Sequence, residues 1–298
     1  MWPVMLTPFH EDGAVDWHAL GFLVEWYVKA GAAGLFAVSG SSEVYQLTHD
    51  ERMALARRVV RAAGSVPVVA SAIDFGPVEK QAAFVRMMAD TGVRAVVLGT
   101  CQLAGRDEDD DCWRKRAEKL FSLTGEIPLG LYEIPTPYKR LLSLELLRWA
   151  SASGRVMWFK DTSCAADVMA ARIRAAKETM FRIFNAHTPT LLDSLRAGGH
   201  GFSGIGANYC PALYVRLCNC FRDEPEQAER IQAFLTRLDS FAETNYPASA
   251  KAWLSMAGLP VRPVCRVKSR PLTREDTEQL ARYMHAAEQM CCEVGVYG

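Results

Sequence analysis

Lys160 closes an otherwise apolar run, Val156-Met157-Trp158-Phe159-Lys160, and is followed by Asp161-Thr162-Ser163. An ammonium in that setting loses solvation, which disfavours its charged form and lowers its pKa. A lysine that is neutral near pH 7 is an amine nucleophile, able to add to a carbonyl carbon. The run Leu129-Gly130-Leu131-Tyr132 ends in the same manner with a phenol, which can relay protons to an amine-derived intermediate. A third feature is the hydroxyl-rich segment Ser39-Gly40-Ser41-Ser42-Glu43, whose backbone N–H groups can approach an anion closely. Each has an ordinary reading beside it: a lysine snorkelling from a strand end, a core tyrosine satisfied by backbone, a Gly/Ser turn in a loop.

The other lysines read differently. Lys29, Lys80, Lys115, Lys119, Lys177 and Lys251 fall on helical stretches at positions expected to be solvated, Lys139 in a loop, and Lys268 in an exposed connector beside Arg266 and Arg270. The nine cysteines are scattered with no C-x-x-C pair, so they form neither a disulfide framework nor a zinc pattern and are expected to be buried small apolar groups. The six histidines lack any ligand spacing, and no metal is expected. Consecutive rather than convergent, Asp107-Glu108-Asp109-Asp110-Asp111 reads as a solvated helix start.

Composition bounds the partners. The 34 basic and 34 acidic side chains cancel, with a pI near 7.0, so the electrostatic footprint of a nucleic-acid-binding protein is missing. No apolar run reaches the roughly 18 residues of a membrane span, and the first residues lack a basic segment followed by an apolar one. A soluble, cytoplasmic protein without a membrane partner is expected.

The elements that must position these groups follow a regular alternation. Short apolar runs at 3–6, 34–38, 66–70, 94–98, 129–132, 156–160, 181–184 and 201–205 fit buried strands, and between them lie stretches of helical spacing such as 16–30, 48–63, 77–91 and 165–177. Thr48-His49-Asp50-Glu51 has the form of a capping box, and Gly64 closes the helix that it opens. Eight such units imply an α/β fold closed as a (β/α)8 TIM barrel. The competing doubly wound sheet lacks its G-x-G-x-x-G after the first strand. Residues 1–222 would form the barrel and 223–298 a C-terminal helical extension, with helices at 225–244, 247–256 and 273–293. In such a barrel the reactive groups belong at the C-terminal ends of the strands, where Lys160 and Tyr132 fall one unit apart.

In order and spacing these features resemble the dihydrodipicolinate synthase and N-acetylneuraminate lyase family of class I aldolases, over essentially the whole chain. The resemblance rests on Thr7-Pro8-Phe9, the Ser39 to Glu43 turn in place of a Gly-Thr-Thr-Gly-Glu type segment, and Leu47-Thr48 opening the next helix. It also rests on Tyr132-x-x-Pro135, on Phe159-Lys160-Asp161 lying 28 residues beyond Tyr132, on Ala197 to Gly201 with Gly206-Ala207-Asn208, and on the 262–272 connector. The resemblance implies that Lys160 forms a Schiff base with pyruvate or another 2-oxo acid, that Tyr132 shuttles protons, and that no cofactor is needed. Ser41 with the N–H groups of Gly40 and Ser42 would hold the substrate carboxylate, and the Ser203 carbonyl would face the imine. It further implies a homotetramer or homodimer.

The departures narrow the activity. Gly40 stands where the family's first turn threonine would be, the segment Gly99-Thr100-Cys101-Gln102-Leu103-Ala104 has no relay tyrosine, and the substrate-binding arginine is absent from Thr136-Pro137-Tyr138-Lys139-Arg140. These weigh against dihydrodipicolinate synthesis. Lys139 or Arg140 can replace that cation, Glu133 stands for a frequent asparagine, and His187 is a polar group near the expected mouth, able to contact the aldehyde partner. The expected activity is aldol cleavage or formation of a 4-hydroxy-2-oxo acid of sugar-acid type. The alternatives are a 2-keto-3-deoxy sugar acid dehydratase using the same imine and a catalytically silent 2-oxo-acid-binding paralogue.

Overall fold

The computed structural model describes residues 1–296. Six strands, β1 (Leu35–Ala37), β2 (Val68–Ser71), β3 (Ala95–Gly99), β4 (Leu129–Tyr132), β5 (Val156–Asp161) and β6 (Arg182–Asn185), lie side by side in chain order, every neighbouring pair parallel. Apart from Met157 and Arg182 all their residues are buried, the condition of a parallel sheet covered on both faces.

The expected strands at 3–6 and 201–205 are present only as single bridges, Val4 with Phe36 and Phe202 with Asn185. Pro3 brings no N–H to a ladder, and the chain after Ser203 coils at once into a 3-10 turn, Ile205–Asn208. These segments still join the sheet's two edges. Met5 N–H donates to Phe36 O at 3.0 Å, Ser203 N–H to Asn185 O at 2.8 Å, and Trp2 N–H to Phe202 O at 2.8 Å, so hydrogen bonds run continuously from β6 back to β1. Consecutive strand order and joined edges leave no point of order reversal, which a doubly wound sheet requires.

Between the strands run α1 (Trp17–Lys29), α2 (His49–Ala63), α3 (Val78–Ala89), α4 (Asp110–Thr124), α5 (Leu144–Ala152), α6 (Ala166–Ala175) and α7 (Leu191–Arg196), followed by α8 (Pro211–Cys220). The capping box of α2 is present: Thr48 N–H donates to Glu51 Oε2 at 2.9 Å and Glu51 N–H to Thr48 Oγ1 at 3.2 Å. Asp109 caps α4 by accepting from Cys112 N–H at 2.8 Å, so the acidic run is a helix start. Three further helices follow, α9 (Pro225–Ala242), α10 (Ala248–Met256) and α11 (Arg274–Glu293). Among the described residues no helix is long and apolar enough to cross a membrane.

An aromatic cluster connects the first segment to β1, β5 and β6. Trp158 packs on Phe36 with ring centres 4.9 Å apart and on Phe184 at 5.5 Å, and Trp2 meets Phe184 at 5.6 Å. Gly34 is required here, since a Cβ at that position would lie 2.4 Å from the Trp2 indole. The cysteines correct the expectation of uniform burial: all nine are free, but Cys164 and Cys292 are exposed while Cys101, Cys210 and Cys220 are buried.

Candidate active site

Tyr132 ends β4 and Lys160 lies one residue before the end of β5, and the two are direct Cα partners in the parallel register. Partners across a strand pair aim their side chains to the same side. Lys160 Nζ accordingly sits 4.5 Å from the centre of the Tyr132 ring, and the ring in turn stands edge-on to Phe36 at 5.6 Å. Lys160 is 4% exposed, and burial alone pulls its pKa down to about 7. Burial, with Tyr45 and Cys101 nearby, pushes the Tyr132 phenol well above its ordinary value, so it stays protonated and able to donate.

The Ser39 to Glu43 segment faces them. Gly40–Ser42 is a 3-10 turn, and a Cβ placed on Gly40 would lie 3.2 Å from Tyr132 Oη. A side chain at position 40 would crowd the phenol by a few tenths of an ångström, so the phenol rests closely against the turn. Ser42 is committed to holding the turn: its hydroxyl donates to Met5 O at 2.6 Å and accepts from Ser39 N–H at 3.0 Å, while its own N–H donates to Ser39 O at 3.0 Å. The N–H groups left to meet an anion are therefore that of Gly40, as expected, and that of Ser41 in place of the expected Ser42. Ser41 is buried, with its hydroxyl beside the Tyr246 phenol, which accepts from Asn208 Nδ2 at 2.7 Å.

Two residues flanking this turn, Val38 and Glu43, have left-handed backbones with φ of 51° and 59°. Such a conformation is costly for a β-branched residue and persists only where the surroundings impose it. Ser71 Oγ donates to Val38 O, and the Glu43 carboxylate accepts from Lys251 Nζ at 2.6 Å, Arg266 N–H at 2.6 Å and Val267 N–H at 2.7 Å. Lys251, expected on a solvated helix face, is instead fully buried on α10, where it also donates to Val264 O and lies 4.4 Å from the centre of the Phe9 ring. The signal was available: Lys251 sits inside Ala248-Ser249-Ala250-Lys251-Ala252-Trp253-Leu254, an uninterrupted small and apolar stretch like the run that ends in Lys160.

Around the mouth the remaining groups divide. His187 follows β6, half-buried, with Nδ1 3.1 Å from Thr190 Oγ1; burial holds its pKa below the usual value, opposed by Glu243 and reinforced by Lys139. Lys139 is exposed, and its charge is the smallest of these influences on His187. Arg140 is turned away, donating to Gly105 O, Glu108 O and Asp110 Oδ1. Ser203 is fully buried and its hydroxyl has no partner among the described residues, as is also true of Ser39.

Glu133 and Asp161, the residues after Tyr132 and Lys160, point to the other side of the sheet. Both meet Arg172 of α6: its Nη2 lies 2.8 Å from Glu133 Oε1 and its Nη1 donates to Asp161 Oδ2 at 2.5 Å. Glu133 also accepts from Leu142 N–H at 2.8 Å and Thr162 N–H at 3.0 Å. Burial, then the Asp161 charge, push Glu133 up to about 7 against the pull of Arg172 and the two N–H groups. Arg172 shares the apolar face of its helix with Met169 and Ile173, which marks a buried guanidinium in the sequence.

A family model described as the dihydrodipicolinate synthetase family matches residues 1–287. The chain is 29% identical to a 4-hydroxy-tetrahydrodipicolinate synthase of Ralstonia nicotianae over 252 residues, 81% of this chain and 82% of that one. Its fold matches that of YagE, a prophage protein of the dihydrodipicolinic acid synthase family from E. coli K12 solved with pyruvate, with a TM-score of 0.85 at 21% identity over 97% of both chains. It also matches a monomeric dihydrodipicolinate synthase variant, with a TM-score of 0.87 at 20% identity over 97% of this chain and 96% of that one.

Proposed function

Since the chain belongs to the dihydrodipicolinate synthetase family, we propose that it is a lyase that joins Lys160 to pyruvate or a related 2-oxo acid as a Schiff base and makes or breaks a 4-hydroxy-2-oxo acid of sugar-acid type. The observation that carries this reading is the Lys160 amine, buried, drawn down to about 7 and set 4.5 Å from the Tyr132 ring. A group so placed is half neutral at pH 7 and has a proton carrier beside it.

The steps follow from these groups. Lys160 Nζ adds to the C2 carbonyl; the former carbonyl oxygen gains two protons and leaves as water, giving an iminium. The iminium draws electrons from C3, which loses a proton to give an enamine. C3 then attacks the aldehyde carbon, whose oxygen takes a proton and becomes the 4-hydroxyl, and water frees the product and the amine. Cleavage is the reverse. In this reading Tyr132 Oη carries these protons, and no cofactor is required. The Gly40 and Ser41 N–H groups with the Ser41 hydroxyl hold the carboxylate, and Ser42 fixes the turn. The Ser203 carbonyl faces the imine, and His187 and Lys139 meet the aldehyde portion. Arg140 is committed to the 105–110 segment, which argues against dihydrodipicolinate synthesis.

The ring of strands is read as a (β/α)8 barrel over 1–222, with the described part of 223–298, up to residue 296, as its helical extension and 297–298 outside the described residues, in a cytoplasmic enzyme. Dehydration of a 2-keto-3-deoxy sugar acid would use the same imine, and product analysis separates the two outcomes. Borohydride reduction with pyruvate, followed by peptide mass analysis, tests the class. An adduct on the Lys160 peptide that is lost in Lys160→Ala is expected. No adduct from a folded protein, with pyruvate or with larger 2-oxo acids, would leave the silent binding paralogue in its place.

A further inference from the structure

Strand alternation puts Tyr132 and Lys160 on one side of the sheet and their successors, Glu133 and Asp161, on the other. Those two carboxylates, which come from different strands, converge on one guanidinium. Arg172, Glu133 and Asp161 are 3%, 0% and 1% exposed at their side chains, so the cluster is sealed from water. Arg172 Nη2 donates in addition to Leu142 O at 2.6 Å, and Glu133 takes the Leu142 N–H, so the segment leading from β4 to α5 is pinned to the same point. Thr162 closes the circuit by donating its hydroxyl to Glu133 O at 2.8 Å.

We infer that Arg172 is a positioning residue for the reaction: by clamping Glu133 and Asp161 from behind the sheet, it fixes the ends of β4 and β5 and thereby the placement of the Tyr132 phenol against the Lys160 amine. Two strand ends that carry reacting groups are otherwise free to slide or splay where the ladder stops, and a shift of about 1 Å between reacting groups costs on the order of a hundredfold in rate. A guanidinium suits this task because its planar fork can serve two carboxylates and a carbonyl at once, which an ammonium cannot do with fixed geometry. Neither carboxylate touches the reacting atoms. The effect of Arg172 therefore passes through Tyr132 and Lys160.

The inference rests on the imine reading above and is tested by a double-mutant cycle on the rate of Lys160 adduct formation at saturating pyruvate, in protein whose folding is checked by near-ultraviolet circular dichroism. Arg172→Met is expected to slow the adduct by about tenfold or more when Tyr132 is present. In the Tyr132→Phe background the same change is expected to cost less than about threefold, because the group it aligned is gone. Equal losses in both backgrounds, or no loss, overturn the inference; a merely structural residue would lower stability and leave the two ratios equal. Should Arg172→Met not fold, Arg172→Lys, which keeps the charge and loses the fork, is expected to give a smaller drop with the same dependence on Tyr132. Should the wild type form no adduct, the imine reading falls. The clamp is then decided by acetylation of Lys160 with acetic anhydride, which needs no oxo acid: a rate changed about threefold or more by Arg172→Lys when Tyr132 is present, and less in the Tyr132→Phe background, supports the clamp, and an unchanged rate or an equal change in both backgrounds overturns it.

Discussion

The Lys160 amine carries both the reactivity and a cost to the fold. Its pKa is drawn from 10.5 to about 7 by burial, so the folded protein binds fewer protons at this group than the unfolded chain between those values. Stability from this group therefore rises with pH through that window, and the penalty is fully present below pH 7. Lys160→Met is expected to be more stable than the wild type at pH 7 by a few kcal/mol, with the gap closing as pH approaches 10, measured by urea denaturation at several pH values. Adduct formation responds below that window: its rate should rise about tenfold per pH unit below 7 and level off above, as the neutral amine accumulates. Both groups were legible from type and position alone, because a lysine and a tyrosine ending apolar runs break the pattern of a buried strand. Arg172 and Lys251 were harder to find, since a helix has both a wet and a dry face and a single charged residue on the dry one is overlooked when its partners are distant in sequence.

At the scale of elements, the substrate turn is held in an unfavourable backbone shape by groups outside it. The left-handed Glu43 persists because its carboxylate is bound by Lys251 of α10 and by two N–H groups of the 262–272 connector. Removing one member of a buried ion pair strands the other, at a cost of about 3–5 kcal/mol. Lys251→Met should lower stability by that order in urea denaturation, and the apparent KM for pyruvate should rise as the Gly40 and Ser41 N–H groups lose their orientation; an unchanged KM would mean that the turn holds its shape unaided. The alternation of strands and helices was readable to within one or two residues for most elements. The first and last segments were not, because a bridge of one residue pair with Pro3 beside it carries the same apolar pattern as a full strand.

For the whole molecule, the family resemblance implies a homotetramer or homodimer, while one of the fold's solved relatives is a monomeric variant. Tyr132 and Lys160 are register partners on neighbouring strands of one chain, so their pairing is set by the sheet itself. We propose a homodimer or homotetramer, expected as a mass of two or four times 33.0 kDa in light scattering, with adduct formation at Lys160 unchanged on dilution to monomer. A rate that collapsed with dilution would place an essential group on a second subunit.

Glu43 and Lys251 are 208 residues apart, and Trp2 meets Phe202 across a similar separation. A ribosome delivers residues in order, at about 5–20 per second. Lys160 and Tyr132 therefore emerge well before Lys251 and Arg266 can lock the turn that faces them. A nascent chain stalled before residue 251 would hold its nucleophile but lack the lock on the anion-binding turn, which ties the onset of reactivity to the completion of synthesis.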